Sequence, residues 1–370
     1  MIANFSFPIP VSFGLGAVER LPHELGARGL HRPMLVAARD QDGSAVVNRA
    51  RRLVPGCLVF SGIDPDPTEQ NVLDGAETFV MEQCDTLIAV GNGRVMNAAK
   101  AIRLKVHHPH PLGDYASDLA EAAIITAEMP PLVTIPASGG GGCEVSHCTT
   151  VLVSRSRRKI TIQSQHLFPS LALIDPELSI DADPFETAAS GMEVLGRSLE
   201  ALLSKAFHPL CEAIAAEGVR VVFQYLPVVV GNGRDLEARS AMASASLMAG
   251  TASQKGAGAA RSLAQVLSAA AGIPDGEAMA LVLPAVVEFN RGHDGSRIER
   301  LERLLGVADL HLALVELRTQ VGLNARLRSI GIGEAELPAL AEAAYAGLAH
   351  RSNPRDCSAE DLLSLYKQCW

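Results

Sequence analysis

The residue patterns most able to do chemistry are two glycine-rich turns, each preceded by an apolar run. The segment DTLIAVGNGRVMNAAKAI (85–102) passes from an apolar run through Gly91, Asn92 and Gly93 into a helical pattern. In that arrangement backbone N–H groups and the positive end of a helix face an anion. Gly91 and Gly93 permit close approach of a diphosphate, and Arg94 adds a cation. A plain strand-to-helix turn accounts for the same spacing. The second run, TIPASGGGGCEVS (134–146), carries Gly139 to Gly142 after another apolar run. Such a backbone suits close packing against a flat or charged ligand, with simple flexibility as the competing account. Two turns of this kind after neighbouring strands point to a nucleotide cleft at the strands' carboxyl ends. Among the remaining candidates, His107, His108 and His110 in KVHHPHP read as a proline-rich loop. His147 and Cys148 border the glycine run, with a satisfied core histidine and a core thiol as the plainer reading.

The elements that must hold these turns change character along the chain. Up to about residue 180, apolar runs (33–39, 57–63, 85–93, 131–138, 171–176) alternate with amphipathic segments, the signature of parallel strands joined by helices. The opening VSFGLGAVERLPHELGA reads as a strand, a glycine turn and a helix, and the leading strand is a candidate for pairing with a second subunit. Beyond Asp183 the pattern is helical throughout, at about 184–205, 208–226, 236–271, 277–290, 297–305, 309–321, 334–349 and 359–368. The expected organisation is an α/β nucleotide-binding domain over 1–180, with a parallel sheet, and an all-α domain over 181–370.

Composition narrows the partners. A chain of 370 residues with 48% hydrophobic content buries a large core, which excludes disorder and a disulfide scaffold. A net charge of -9 disfavours nucleic acid and leaves a small molecule as the expected partner. The opening residues lack a basic segment followed by a long apolar run, and no 18-residue uncharged apolar stretch follows, so neither a signal peptide nor a membrane span is expected, and the chain reads as cytoplasmic. Seven irregularly spaced cysteines read as reduced thiols.

Taken in order, GNGRVMNAAKAI, TIPASGGGGCEV, KITIQSQHLFPSLALIDPEL, GMEVLGRSLEALLS, EARSAMASASLMAGTA, IPDGEAMALVLPAVVEFN and SNPRDCSAEDLLSLY resemble the iron-containing (group III) alcohol dehydrogenases. That family and its maleylacetate reductase relatives share the dehydroquinate synthase-like fold. The resemblance spans almost the whole chain. It implies an N-terminal nucleotide-binding domain, a helical C-terminal domain holding a divalent metal, a nicotinamide cofactor in the cleft between them, and a homodimer.

The departures from the family pattern alter the expected chemistry. The phosphate loop G-G-G-S with its following Asp is Gly91, Asn92, Gly93, Arg94 and then Asn97 here. The T-T-x-G-T-G-S-E segment is softened to Ala137, Ser138, Gly139, Gly140, Gly141, Gly142, Cys143 and Glu144, with the following lysine retained as Lys159. NAD-preferring relatives carry a ribose-binding Asp where this chain has Ala38, followed by Arg39. A missing carboxylate beside a guanidinium favours a 2′-phosphate, so NADP(H) is expected ahead of NAD(H). The implied cofactor contacts are Arg39, Gly91, Asn92, Gly93, Arg94, Asn97, Ser138, Gly139 and Lys159.

The metal-ligand positions of the family fall on Glu193, Arg197, Arg261 and Asp275. An arginine cannot lose its proton in a protein and offers no lone pair, so no catalytic metal is expected. Gln265 stands where relatives often have a further cleft histidine. Glu193 and Arg197 are spaced i, i+4 with the acid first, the favourable order on one helix face. The four charges read as a salt-bridge plug, as an arginine that polarises a substrate carbonyl, or as an arginine clamp on a substrate acid group while Glu193 or Asp275 moves a proton. The leading expectation is a metal-independent NAD(P)-dependent oxidoreductase acting on a small carbonyl, imine or activated alkene. A non-redox lyase, cyclase or isomerase built on the tetrad and a non-catalytic homologue are the alternatives.

Overall fold

A computed structural model of the protein describes residues 9–138, 141–153, 158–293 and 295–370. The chain divides at Asp183 into two compact units, an α/β unit before it and a helical unit after it.

In the α/β unit the apolar runs become β1 (Val11–Phe13), β2 (Pro33–Ala38), β3 (Leu58–Ile63), β4 (Thr86–Gly91), β5 (Leu132–Pro136) and, after an intervening hairpin, β8 (Leu171–Ile174). All pair in parallel, in the order β1-β8-β5-β4-β2-β3. Helices α1 (Leu21–Ala27), α2 (Ala45–Leu53), α3 (Glu69–Met81) and α4 (Gly93–His107) connect them. Alternate side chains serve opposite faces. Met34, Val36, Leu87 and Ala89 pack with Val72, Ala76 and Phe79 of α3 and the apolar side of α4. Leu35, Ala37, Ile88 and Val90 pack with Leu21 and Leu25 of α1 and Val47 and Ala50 of α2. Coverage on both faces explains why β2, β4, β5 and β8 are buried along their whole length and read as unbroken apolar runs.

The hairpin consists of β6 (Cys148–Val153) and β7 (Arg158–Gln163), an antiparallel pair absent from the sequence reading. Its signal was present in the alternation of KITIQ, where Ile160 and Ile162 face the core. Strand order reverses beside β2: the chain goes outward to β3, then returns to β4 on β2's other side. The carboxyl ends of β2 and β4 therefore flank a crevice, the place where open α/β sheets bind ligands.

The helical unit contains α5 (Pro184–Leu203), α6 (Pro209–Gly231), α7 (Leu236–Ala252), α8 (Ala259–Ala271), α9 (Asp275–Arg291), α10 (Gly295–Leu305), α11 (Leu310–Gln320), α12 (Leu337–Ala346) and α13 (Ala359–Cys369). The apolar stretch read as one helix over 236–271 is two. It breaks around Gly256, whose φ of 132° a side chain rarely adopts, so that α8 starts afresh at Ala259. Helix α5 opens on Pro184 with the Asp183 carboxylate capping the N–H groups of Phe185 and Glu186, and sends Met192, Leu195 and Leu199 into the shared core. By length and composition α6 is able to cross a membrane, but it packs against α5 and α7. All seven cysteines are free thiols.

His147, just ahead of β6, illustrates how tightly the α/β unit closes. It is 5% exposed, and its Nε2 lies 2.7 Å from the Gln163 side-chain amide. Burial, aided by the Lys100 charge, pushes its pKa from 6.5 down to about 4. A depressed histidine contributes stability above its unfolded pKa and loses it as pH falls through the folded one. The stability advantage of wild type over His147→Gln should therefore shrink by about 3 kcal/mol on acidification, as followed by urea unfolding. A difference that stays constant between pH 6.5 and pH 4 would show that His147 protonates freely in the folded state.

Candidate functional site

The α/β unit places Arg39 at the end of β2 and Gly91–Gly93 at the end of β4, on the two sides of the crevice. Gly91 has φ 151°, and a Cβ there would lie 2.8 Å from Val95 Cγ2, so the turn tolerates only glycine. Helix α4 follows with Asn92 as its N-cap residue and no side-chain cap, which leaves its positive end available to an anion.

The cations around this turn are already engaged. Arg94 Nη2 lies 2.7 and 2.6 Å from the two Asp40 oxygens, so an ion pair bridges the crevice from α4 to the segment after β2. Arg39 donates from Nε to Asp64 Oδ1 at 3.1 Å and from Nη2 to the Gly62 carbonyl at 3.4 Å. Arg39, expected near a 2′-phosphate, thus stands beside a carboxylate. Lys159 belongs to strand β7, and its ammonium sits 2.7 Å from Asp66. One loop, Asp64-Pro65-Asp66, thus holds two of the expected phosphate-binding cations, and Asp40 holds the third. None of these carboxylates stood out in the sequence, where the available signal was three acids placed just past strand ends. Asn97 uses its carbonyl to accept from Thr149 Oγ1 at 2.6 Å, which ties α4 to β6. Ser138 is half-buried after β5, and Gly139 lies outside the described residues. His107 ends α4, and His108 and His110 lie in the loop after it, as expected; His108 is buried there, its Nε2 accepting from Thr126 N–H at 2.9 Å and its ring edge-on to Tyr115. A separate cleft of about 480 Å³, bordered by Tyr115, Ser117, His147, Gln163 and Gln165, includes none of the expected cofactor contacts.

In the helical unit the four residues at the expected metal-ligand positions come from α5, α8 and α9. Glu193 and Arg197 occupy successive turns of α5, and Glu193 Oε1 accepts from Arg197 Nη2 at 2.7 Å and Nε at 3.2 Å. Arg261, in the first turn of α8, brings Nη1 to 3.8 Å from the same oxygen. Asp275 opens α9 and accepts from Ser268 Oγ at 2.5 Å. Glu193, Arg197 and Arg261 thus meet at one oxygen, and close helix packing brings α9 up beside them. Beside Asp275, a Cβ on Gly276 would fall 1.8 Å from the Ala189 carbonyl oxygen, so α9 begins directly against α5, one turn before Glu193. Arg197 is 6% exposed in its side chain, which makes its carboxylate partner a requirement.

Glu200 was missed in the sequence, although it lies on the same side of α5 as Glu193. It accepts from the Arg261 backbone N–H at 2.8 Å. Burial pushes its carboxyl pKa up to about 7, against the pull of hydrogen bonds from the Arg261, Ala260 and Gly258 N–H groups and of the Arg261 charge.

This donor set does not fit a divalent cation. Two of the four positions present guanidinium groups, which have no lone pair, and Glu193 already serves them. Among the described residues, no group of three or more His, Cys, Asp or Glu stands together in a way that could hold a metal.

Two family models match the chain: "Iron-containing alcohol dehydrogenase" over residues 8–176 and "Fe-containing alcohol dehydrogenase family, C-terminal" over residues 187–370. The 4-hydroxybutyrate dehydrogenase of Cupriavidus necator is 31% identical over 97% of both chains. A crystal structure of a 1,3-propanediol oxidoreductase superposes with TM-score 0.92 at 27% identity, covering 100% of each chain. A sulfoacetaldehyde reductase from Bifidobacterium kashiwanohense, solved with NAD+, gives 0.91 at 26% identity and covers 100% of this chain and 99% of that one.

If Glu193 anchors the buried Arg197, Glu193→Gln should destabilise the protein by about 3 kcal/mol in urea unfolding, and a matched apolar pair, Glu193→Leu with Arg197→Met, should recover most of it. A loss under about 1 kcal/mol for Glu193→Gln would place the pair energetically among exposed ion pairs.

Proposed function

Because this chain belongs to the iron-containing alcohol dehydrogenase family, we propose that it is a nicotinamide-dependent oxidoreductase in which guanidinium groups have taken over the task of a divalent cation. Its substrate pair is a small alcohol and the matching carbonyl compound, as the names of the 4-hydroxybutyrate and 1,3-propanediol relatives suggest. The observation that supports this reading is the meeting of Arg197 and Arg261 at one carboxylate oxygen, from two helices, at positions where the resemblance puts metal ligands.

The cofactor would lie at the crevice between β2 and β4, with its diphosphate at Gly91, Asn92 and Gly93 and the positive end of α4. When bound, the nicotinamide supplies the site that gives or takes a hydride. The pairing of Arg39 with Asp64, and the presence of Asp40 beside it, shift the expected preference from NADP(H) to NAD(H). A carboxylate suits a ribose hydroxyl and repels a 2′-phosphate. Arg94 reaches a phosphate only by exchanging it for Asp40.

At the tetrad the arginines divide the work. Arg197 takes two contacts to Glu193 and is fixed by them. Arg261, which reaches the same Glu193 oxygen from α8, is the donor to the substrate oxygen, where one well-placed donor is worth roughly 2.7–4 kcal/mol of transition-state stabilisation. Asp275 with the Ser268 hydroxyl is the pair suited to pass a proton to or from that oxygen. The enzyme works as a cytoplasmic homodimer without nucleic-acid or membrane partners; β1 at the sheet edge, with Phe13 exposed, supports a subunit contact there.

The purified protein should show saturable fluorescence quenching with NADH, weaker quenching with NADPH, and NAD+ reduction with 4-hydroxybutyrate or 1,3-propanediol. Arg261→Ala should lower kcat by about 10²–10³-fold with the fold intact. Elemental analysis should find no stoichiometric iron or zinc. A stoichiometric metal that Asp275→Ala removes, or wild-type turnover in Arg261→Ala, refutes the reading.

A further inference from the structure

The first turn of α8 has an unusual cap. Its N-cap residue, Gly258, has no side chain to satisfy the opening N–H groups, and the structure supplies acceptors from elsewhere in the unit. The Glu200 carboxylate, on α5, takes the N–H of Arg261 at 2.8 Å together with those of Ala260 and Gly258. Asn353 Oδ1 takes the N–H of Ala259 at 3.3 Å. The fit at Gly258 is close: a Cβ there would lie 2.9 Å from Glu200 Oε1. Glu193 and Glu200 are two turns apart on α5, and Arg261 is held at both ends between them, its backbone on Glu200 and its guanidinium 3.8 Å from Glu193.

We propose that Glu200 is a positioning residue for the reaction, its carboxylate capping α8 from α5 and thereby setting where the Arg261 guanidinium stands. This rests on the reading that Arg261 is the donor to the substrate oxygen. An ordinary helix cap would affect stability alone. This one also fixes the Cα of the residue that carries the donor, and a displacement of about 1 Å at a catalytic group costs on the order of 10²-fold in rate. Glu200→Gln keeps the volume and replaces one acceptor oxygen with an N–H donor that faces other N–H groups, so the first turn of α8 must shift.

The test is a double-mutant cycle on kcat with NAD+ and 4-hydroxybutyrate, paired with crystal structures. Glu200→Gln in the wild-type background should lower kcat about a hundredfold with little change in the KM for NAD+. In an Arg261→Ala background the same substitution should change kcat by less than about twofold, because its effect passes through Arg261. The Glu200→Gln structure should show the Arg261 guanidinium moved away from Glu193. If Arg261→Ala is impaired but Glu200→Gln lowers kcat equally in both backgrounds, the positioning role is wrong while the donor role stands. If Arg261→Ala retains wild-type turnover, the donor role itself is wrong. An unmoved Arg261 in the Glu200→Gln crystal overturns the positioning claim whatever the kinetics. Should Glu200→Gln fail to fold, Gly258→Ala presses on Glu200 Oε1 from the opposite side and is read in the same cycle and by the same displacement.

Discussion

The helical unit is organised by the pairing of the Glu193 carboxylate with Arg197 inside a packed bundle. Removing either charge from water costs several kcal/mol, and only a partner at hydrogen-bond distance offsets that cost. The 2.7 Å contact meets the requirement, and it constrains much of what surrounds it. Helix α5 must keep the two residues on one face, α8 must deliver Arg261 to the same oxygen, and α9 must start directly against α5. Gly276 against Ala189 and Gly258 against Glu200 are the packing solutions that permit those approaches.

A related logic of charge governs the α/β unit. Three cations stand near the carboxyl ends of its strands, and each is matched by a carboxylate: Arg94 by Asp40, Arg39 by Asp64 and Lys159 by Asp66. Matched pairs make the crevice far less attractive to phosphate than the cations alone imply. Binding of a diphosphate there has to rely on backbone N–H groups, the end of α4 and the exchange of an existing ion pair. Such a crevice favours a ligand with fewer charges, which is the physical basis for proposing NAD(H) ahead of NADP(H).

Family membership and the altered donor set are compatible because they rest on different features. The fold depends on apolar periodicity, strand order and a few glycines at close approaches. A metal would depend on the donor atoms of a few side chains, and at the positions the resemblance assigns to them this chain presents two acids and two guanidinium groups. Fold alone therefore carries the nucleotide crevice and the helical bundle, while the chemistry has to be argued from Glu193, Arg197, Arg261 and Asp275.

The sequence by itself determined the layered architecture, since runs buried on both faces and helices with one apolar side leave little choice of partner. It also determined the glycine turn at 91–93 and the Glu193–Arg197 pair, because both are set by spacing within a single element. The β6–β7 pair and the break before α8 were in the sequence only as a short alternation and two spaced glycines, weaker than the apolar periodicity around them. What tertiary structure alone decided was the company of each charge. Asp40, Asp64, Asp66 and Glu200 are ordinary acids in one dimension. They acquire roles only when strand ends or helix ends bring them beside a cation or a row of backbone N–H groups, and Coulomb and hydrogen-bond energies depend on distances in space that position along the chain does not encode.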